Sequence, residues 1–321
     1  MANQSLATAG TLRKKTPWQR FFTNFKRSWQ LHVLIILPLT YMIIFHYAPM
    51  FGLQIAFRDY RQRAGLFGSE WVGLYQFQTF FANYKWSSYV WNTFKIASYS
   101  ILAGFPIPII LALLLHVNNN KVLTKITQNV SYIPHFISVV VMVGILNKIF
   151  DPFTGLWGYL LKTFEVAEYY DIRTNPDAFI HLFVWSGIWK DMGWSAILYV
   201  STLSGVSPEL HEAARIDGAS RFRRVLSVDL PAIMPTICIM LIMRMGGILK
   251  VGYEKVYLMQ NQLNIVNSEV ISTYVYKSGL VSNNMSYGSA VDIMNSVIST
   301  TMVVLVNWIT NKLSDGEAGL F

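Results

Sequence analysis

The chain has 321 residues, of which 53% are hydrophobic, 15% aromatic and only 13% charged, about half the charged share of an ordinary soluble domain. That balance argues against a soluble globule, and the single cysteine, Cys238, rules out a disulfide framework and a four-cysteine metal site. The excess of 26 Lys and Arg over 17 Asp and Glu sits beside apolar runs, a membrane pattern rather than a nucleic-acid-binding one.

Residues 1–30 form a mostly polar tail ahead of the first apolar run, which is too long for the h-region of a secretory signal. Trp18, Phe21, Phe22, Phe25 and Trp29 recur at helical spacing with Arg20, Lys26 and Arg27 between them. This predicts an amphipathic helix lying on anionic headgroups, the alternative being a disordered basic tail. Residues 28–57, 96–120, 126–147 and 293–311 then contain no Asp, Glu, Lys or Arg. Each run is long enough to cross, since about 20 apolar residues rising about 1.5 Å each span a hydrocarbon core about 30 Å thick. Residues 179–203 and 231–250 are equally apolar but contain Lys190 with Asp191, and Arg244. The expected fold is all-α and polytopic, with six spans at 31–50, 95–115, 130–149, 179–203, 231–250 and 290–310.

Six spans place both termini on one side, and Lys and Arg resist translocation, so the more basic side is cytoplasmic. The terminal side carries 13 basic residues, six of them before the first span, against 10 on the other side. Both termini are therefore expected in the cytoplasm. Pro38, Pro106, Pro108, Pro134 and Pro235 lie inside or at the ends of spans, freeing carbonyls that neighbouring helices or water must satisfy. The external segments 51–94 and 151–178 are candidate docking surfaces for another protein, the second being net acidic through Asp151, Glu165, Glu168, Asp171 and Asp177 against Lys162 and Arg173.

Charges inside spans are costly and must face protein or water. Lys190 and Arg244 are candidates for a pathway favouring anionic groups; the alternative is that Asp191 pairs with one of them while the other reaches toward a span end. Trp185, Trp189, Trp194 and Tyr199 offer faces on which sugar rings stack, although such residues also serve as core or interfacial anchors.

Between spans four and five, residues 206–231 form a polar loop containing SPELHEAARIDGASRFRRVLSVDLP. Ser207 is a natural N-cap, Pro208 suits the first helical position, and Glu209 and Glu212 complement the helix dipole. Glu212 with Arg215, and Asp217 with Arg221, are spaced to meet on a helix face if the helix continues. Gly218 interrupts it, and a second short helix is expected to run until Pro231 opens span five.

This loop resembles the EAA loop of bacterial ATP-binding cassette (ABC) importer permeases. Glu212, Ala213, Ala214, Gly218, Leu230 and Pro231 hold the motif positions, with Asp217 between them and Val228 where isoleucine is usual. SEWVGLYQF at 69–77, IPHFIS at 133–138, IWKDMGW at 188–194, STYVYKSGL at 272–280 and the terminal DGEAGLF are similar to the carbohydrate permeases. Within that group they most resemble the oligosaccharide and polysaccharide branch that includes the first permease subunit of alginate importers. The resemblance implies a multi-pass protein of the bacterial cytoplasmic (inner) membrane that performs no bond chemistry. Its implied partners are a second homologous permease, a pair of ATPase subunits that bind ATP and Mg, and an extracytoplasmic solute-binding protein. The implied cargo is an oligo- or polysaccharide, anionic of the alginate type or, alternatively, neutral or otherwise complex.

The domain reading is then a tail at 1–30, a permease domain at 31–310 that includes the coupling loop at 206–231, and a cytoplasmic tail at 311–321. No GxxxxGK[ST] phosphate loop, HExxH or paired-cysteine spacing occurs, so neither a cofactor nor a metal is expected on this chain. The six histidines, His32, His46, His116, His135, His181 and His211, are widely separated and read as packing or interfacial residues. An ion-coupled carrier would require coupling-ion sites and usually shows repeats, and a membrane enzyme would require convergent acid, base or metal residues; neither pattern is evident.

Overall fold

The computed structural model describes residues 28–165, 170–247 and 251–313. The expected interfacial helix around Trp18–Phe25, the terminal DGEAGLF, Glu168 and Lys250 lie outside them. The chain is mostly helical and divides into two units, Met1–Gln54 and Ile55–Phe321.

In the first unit, α1 (Trp29–Met42) continues through a π-turn at Ile43–Tyr47 into Ala48–Met50. Its apolar side chains are exposed on every face, as befits a helix solvated by lipid. The widened turn comes just before Pro49, whose ring crowds the preceding turn and which has no N–H to donate.

The second unit opens with a two-residue antiparallel pair, β1 (Arg58–Asp59) with β2 (Glu70–Trp71), in which Arg58 faces Trp71. Helix α2 (Trp86–Gly104) and α3 (Pro106–Val117) meet at Phe105, where the missing N–H of Pro106 breaks the ladder. Helix α4 (Lys121–Tyr132) begins with the Asn120 side chain accepting from the backbone N–H groups of Val122 and Leu123. The span expected at 130–149 is not one straight helix. A 3-10 turn at Ile133–Phe136 ends α4, Ser138 caps a new helix, α5 (Val139–Ile149), and the two directions differ by 104°. Pro134 at the start of that turn and the capping hydroxyl of Ser138 explain the break.

Helix α6 (Pro176–Leu203) is the centre of this unit. Asn175 caps it with Pro176 at its first position, and it packs against α2, α3, α4 and, later in the chain, α9 (Leu230–Gly246). Its upper half joins Ile96, Val256 and Val270 in one cluster, and its lower half joins Ala112 and Ile233 in another. At Gly193 the contact is backbone to backbone, because a Cβ there would lie 2.2 Å from the carbonyl oxygen of Ser131. A Gly193→Val variant should therefore lose about 1–3 kcal/mol through overpacking. Thermal unfolding in detergent checks this against Gly144→Ala, whose Cβ would meet nothing within 4 Å; equal midpoints for the two variants would refute the close packing.

After α6 come α7 (Pro208–Ile216) and α8 (Arg221–Arg224). The second loop helix was expected to stop before Pro231; instead, helix is continuous from Arg221 to Gly246. A π-turn at Val225–Asp229 immediately precedes α9 and accommodates Pro231, which cannot donate to the turn before it. Then follow α10 (Tyr253–Met259), a further short helix at Ile271–Val275 and α11 (Met285–Leu313).

Among the described residues, four helices are long and apolar enough to cross a membrane: Trp29–Phe57, Trp86–Val117, Arg221–Gly246 and Met285–Ile309. The bent pair formed by α4 and α5 makes a fifth if counted as one span. Helix α6, 28 residues long, is not among them; Asp177, Ser186, Lys190 and Asp191 dilute its apolar character.

Candidate functional site

Two regions concentrate the residues singled out by the sequence. The first is the loop at 206–231. Ser207 accepts from the N–H of Glu209 at 3.3 Å, and Pro208 occupies the first turn, as expected. Gly218 adopts φ +75°, with its N–H bonded to the carbonyl of Arg215 and that of Ala219 bonded to Ala214. This is the left-handed helix ending that glycine favours. Ser220 then accepts from Arg223 to start α8. The two expected charge pairs do not form: among the described residues neither Glu212–Arg215 nor Asp217–Arg221 is an ion pair, and the Gly218 bend takes Arg221 off the helix that carries Asp217. The result is a knob on which Glu212, Ala213, Asp217 and Gly218 are exposed. Sequence reasoning missed Ile216 and Phe222, which are 86% and 73% exposed and flank Gly218. Leu210 and Leu226 are exposed in the same loop, at 55% and 48%, so the sequence alone did not single these two out.

The second region is a cavity of about 420 Å³ lined from α2, α3, α5, α6 and α9 and from residues 251–255. Lys190, Asp191, Arg244 and Lys255 are the titratable residues on its wall. Lys190 Nζ donates to the His135 carbonyl at 2.9 Å and lies 3.6 Å from Asp191 Oδ1, which is also 2.9 Å from His135 Nδ1. Asp191 thus stands beside Lys190 while both remain on the cavity wall. Arg244 has no ion pair among the described residues, and its guanidinium lies where a side chain at Gly104 would stand, 3.3 Å from that Cβ position. Lys255 was counted by sequence only as an external charge. Its Nζ donates to the Phe183 carbonyl at 2.6 Å, 4.4 Å from the Phe183 ring. Gly187 makes the room, because a Cβ there would sit 3.1 Å from the ammonium. Lys255 lies on α10, outside the expected spans, and burial pulls its ammonium down to about 7, with Asp191 opposing and Lys190 adding to the shift.

The aromatic candidates do not share this cavity. Trp185 and Trp189 line a separate, more apolar recess of about 500 Å³ with Leu146 and Leu182, and Trp185 Nε1 donates to the Tyr99 hydroxyl at 3.0 Å. Trp194 stacks on His135 with centroids 4.6 Å apart and planes 2° apart. Tyr199 is buried among Ala112, Leu203 and Ile233, with one side toward Arg244 in a small recess. In the segment at 151–178, Arg173 lies 2.7 Å from Asp171 and 3.5 Å from Asp151. The guanidinium of Arg173 holds the Asp171 carboxyl below the usual carboxylate range. The negative charge counted there from sequence is therefore partly spent internally.

A membrane-embedded helical unit with a polar knob between two of its helices and a charged cavity between several of them has the form of a transport subunit. Residues 104–315 match the family described as binding-protein-dependent transport system inner membrane component, and the chain belongs to it. It is 39% identical over 296 residues to Protein LplB of Bacillus subtilis (strain 168), covering 92% of each chain. It is 34% identical over 318 residues to that organism's polygalacturonan/rhamnogalacturonan transport system permease protein YteP, covering 99% of this chain and 98% of the relative. Among solved structures, a bacterial ABC transporter involved in the import of the acidic polysaccharide alginate matches with a TM-score of 0.84 and 33% identity, over 91% of this chain and 99% of that one. The bacterial alginate ABC transporter in complex with an alginate pentasaccharide-bound periplasmic protein gives a TM-score of 0.85 and 32% identity, over 94% of this chain and 100% of that one.

Proposed function

We propose that this chain is the permease subunit of an ATP-driven importer for anionic, uronate-containing oligo- or polysaccharides, working by alternating access. It crosses the bacterial cytoplasmic membrane six times, α6 and the bent α4–α5 pair supplying two of the crossings, and keeps both termini in the cytoplasm. The tryptophans of α6 lie near the pathway or anchor it. The 206–231 knob faces the cytoplasm, where it docks on an ATPase subunit that binds ATP and Mg. A second permease completes the pore, and a solute-binding protein delivers the cargo from outside.

The observation that carries the substrate reading is the cavity wall, three cationic side chains against the single carboxylate of Asp191. Lys190 and Arg244 fall within expected spans, where cations without full pairing are costly, and a carboxylate-bearing sugar supplies what they lack. The relatives support this, since alginate and polygalacturonan are both polymers of uronates.

The test is ATP-dependent uptake by the assembled transporter in proteoliposomes. An oligouronide should accumulate at least about tenfold faster than its carboxyl-reduced neutral counterpart of equal length, the ratio expected for one charge-assisted hydrogen bond. Equal rates would overturn the anionic reading and leave the permease reading intact; uptake without ATP would overturn the latter.

A further inference from the structure

His116 stands at the end of α3, His211 lies on α7 directly before Glu212, and Asp229 closes the π-turn that leads into α9. Three elements remote in sequence thus bring two imidazoles and a carboxylate together. The Asp229 side chain is 1% exposed, its Oδ1 lying 3.1 Å from His211 Nε2 and 3.5 Å from His116 Nε2. The three donor atoms all fall within 4.8 Å of one another. Despite this proximity, neither His211 Nε2 nor Asp229 Oδ1 has a hydrogen-bond partner in proper geometry. Buried polar atoms are ordinarily satisfied, and a buried carboxylate oxygen without a well-aligned donor is costly.

Arginine is the usual partner for such a group, and Arg215, Arg221 and Arg224 line the same recess of about 180 Å³. Among the described residues, however, Asp229 is in ion-pair range only of the two histidines, and Arg224 Nε is itself without a partner. A tetrahedral zinc ion has bonds of about 2.0–2.2 Å to nitrogen and oxygen, which separates neighbouring donors by about 3.3–3.5 Å. Of the two donor separations at Asp229, 3.1 Å falls just below that range and 3.5 Å at its upper edge, and two histidines with one carboxylate are a familiar three-ligand set that leaves a position open. The nearby arginines oppose any cation. This selects against weakly held hard ions such as magnesium or calcium and for borderline metals that bind imidazole nitrogen.

We propose that His116, His211 and Asp229 form a site for a divalent transition-metal ion of the zinc class, with water at the remaining position. Bound there, the ion ties α7 to the end of α3 and the start of α9. The site is distinct from the sugar cavity, and its existence does not depend on which sugar is carried.

The assembled transporter, prepared without a polyhistidine tag and stripped with chelator, is titrated with Zn2+ and with Co2+ in mild detergent. Bound metal per chain is measured directly, together with the visible absorption of tetrahedral Co2+ and the thermal midpoint. The parent should take up metal saturably, show the intense tetrahedral Co2+ bands and melt at a higher temperature with Zn2+. His116→Gln and His211→Gln should each weaken binding at least about tenfold and abolish the metal-dependent midpoint shift. A parent that binds no more Zn2+ than the doubly substituted His116→Gln/His211→Gln chain, or whose bound Co2+ has an octahedral spectrum, would overturn the site. The parent measurement stands alone if either variant fails to fold.

Discussion

Replacing Gly218 with lysine is expected to release the ATPase while leaving the permease folded. A Cβ at Gly218 would meet nothing within 4 Å, so the intramolecular cost is confined to holding a side-chain-bearing residue at φ +75°, about 1–2 kcal/mol. On the outer surface, by contrast, a long cation would be added to a bend flanked in sequence by Ile216 and Phe222, two of the large apolar side chains the knob exposes. Loss of one central contact of that kind is worth about 2 kcal/mol or more. ATPase recovered with the solubilised variant should therefore fall more than about tenfold, and substrate-stimulated ATP hydrolysis should fall with it. Gly218→Ala, which pays the backbone cost without the bulk, should retain most of both. Mass spectrometry of the co-purifying proteins decides the matter: undiminished ATPase beside Gly218→Lys would mean that the knob is not the docking contact, and loss of the second permease as well would mean that the variant had misfolded.

The second large effect is expected from the cavity cations. Each one that hydrogen-bonds a substrate carboxylate contributes about 1.5–3 kcal/mol, so its removal should slow uptake of an oligouronide by about 10- to 150-fold at subsaturating substrate. Arg244→Met is the most informative change, because Arg244 has no ion pair to lose among the described residues. Lys190→Met also removes the bond to the His135 carbonyl and the neighbour of Asp191, so it should impair neutral analogues too. Lys255 adds a pH dependence of definite sign: pulled down to about 7, it is charged below that pH and neutral above it. Uptake of the anionic sugar should fall as external pH rises from 6 to 8, and Lys255→Met should flatten that fall. Unchanged oligouronide uptake by Arg244→Met, or a parent profile that matches Lys255→Met, would remove these side chains from the pathway.

How much of this was legible in the sequence varies with the range of the interaction concerned. The loop's cap at Ser207 and the bend at Gly218 are local, set by residues within one turn, and the sequence carries them openly. The break at Ile137–Ser138 was concealed because an uncharged run reads as one span whether or not its helix bends, although Pro134 marked the place. The continuity of Arg221–Gly246 was concealed for the opposite reason: proline reads as a boundary, and a π-turn ahead of Pro231 carries the helix past it. The burial of Lys255 was concealed because it depends on Phe183 and Gly187, some seventy residues earlier. The four aromatic candidates on α6 share a helix, yet tertiary packing distributes them among the Trp185–Trp189 recess, a histidine stack and a core cluster. Spacing alone does not encode that distribution.

The unbroken helix from Arg221 to Gly246 gives the knob a mechanical connection to the cavity. Arg221 lies on the loop and Arg244 on the cavity wall, about 35 Å apart along one helix axis at about 1.5 Å per residue. A rod of that length tilting by about 10° about its midpoint carries each end through about 3 Å, comparable to a hydrogen-bond length. Movement of the loop would thus reach the guanidinium of Arg244 along one helix, through the widened turn at Val225–Asp229 and past Pro235, the places where such a helix bends most readily.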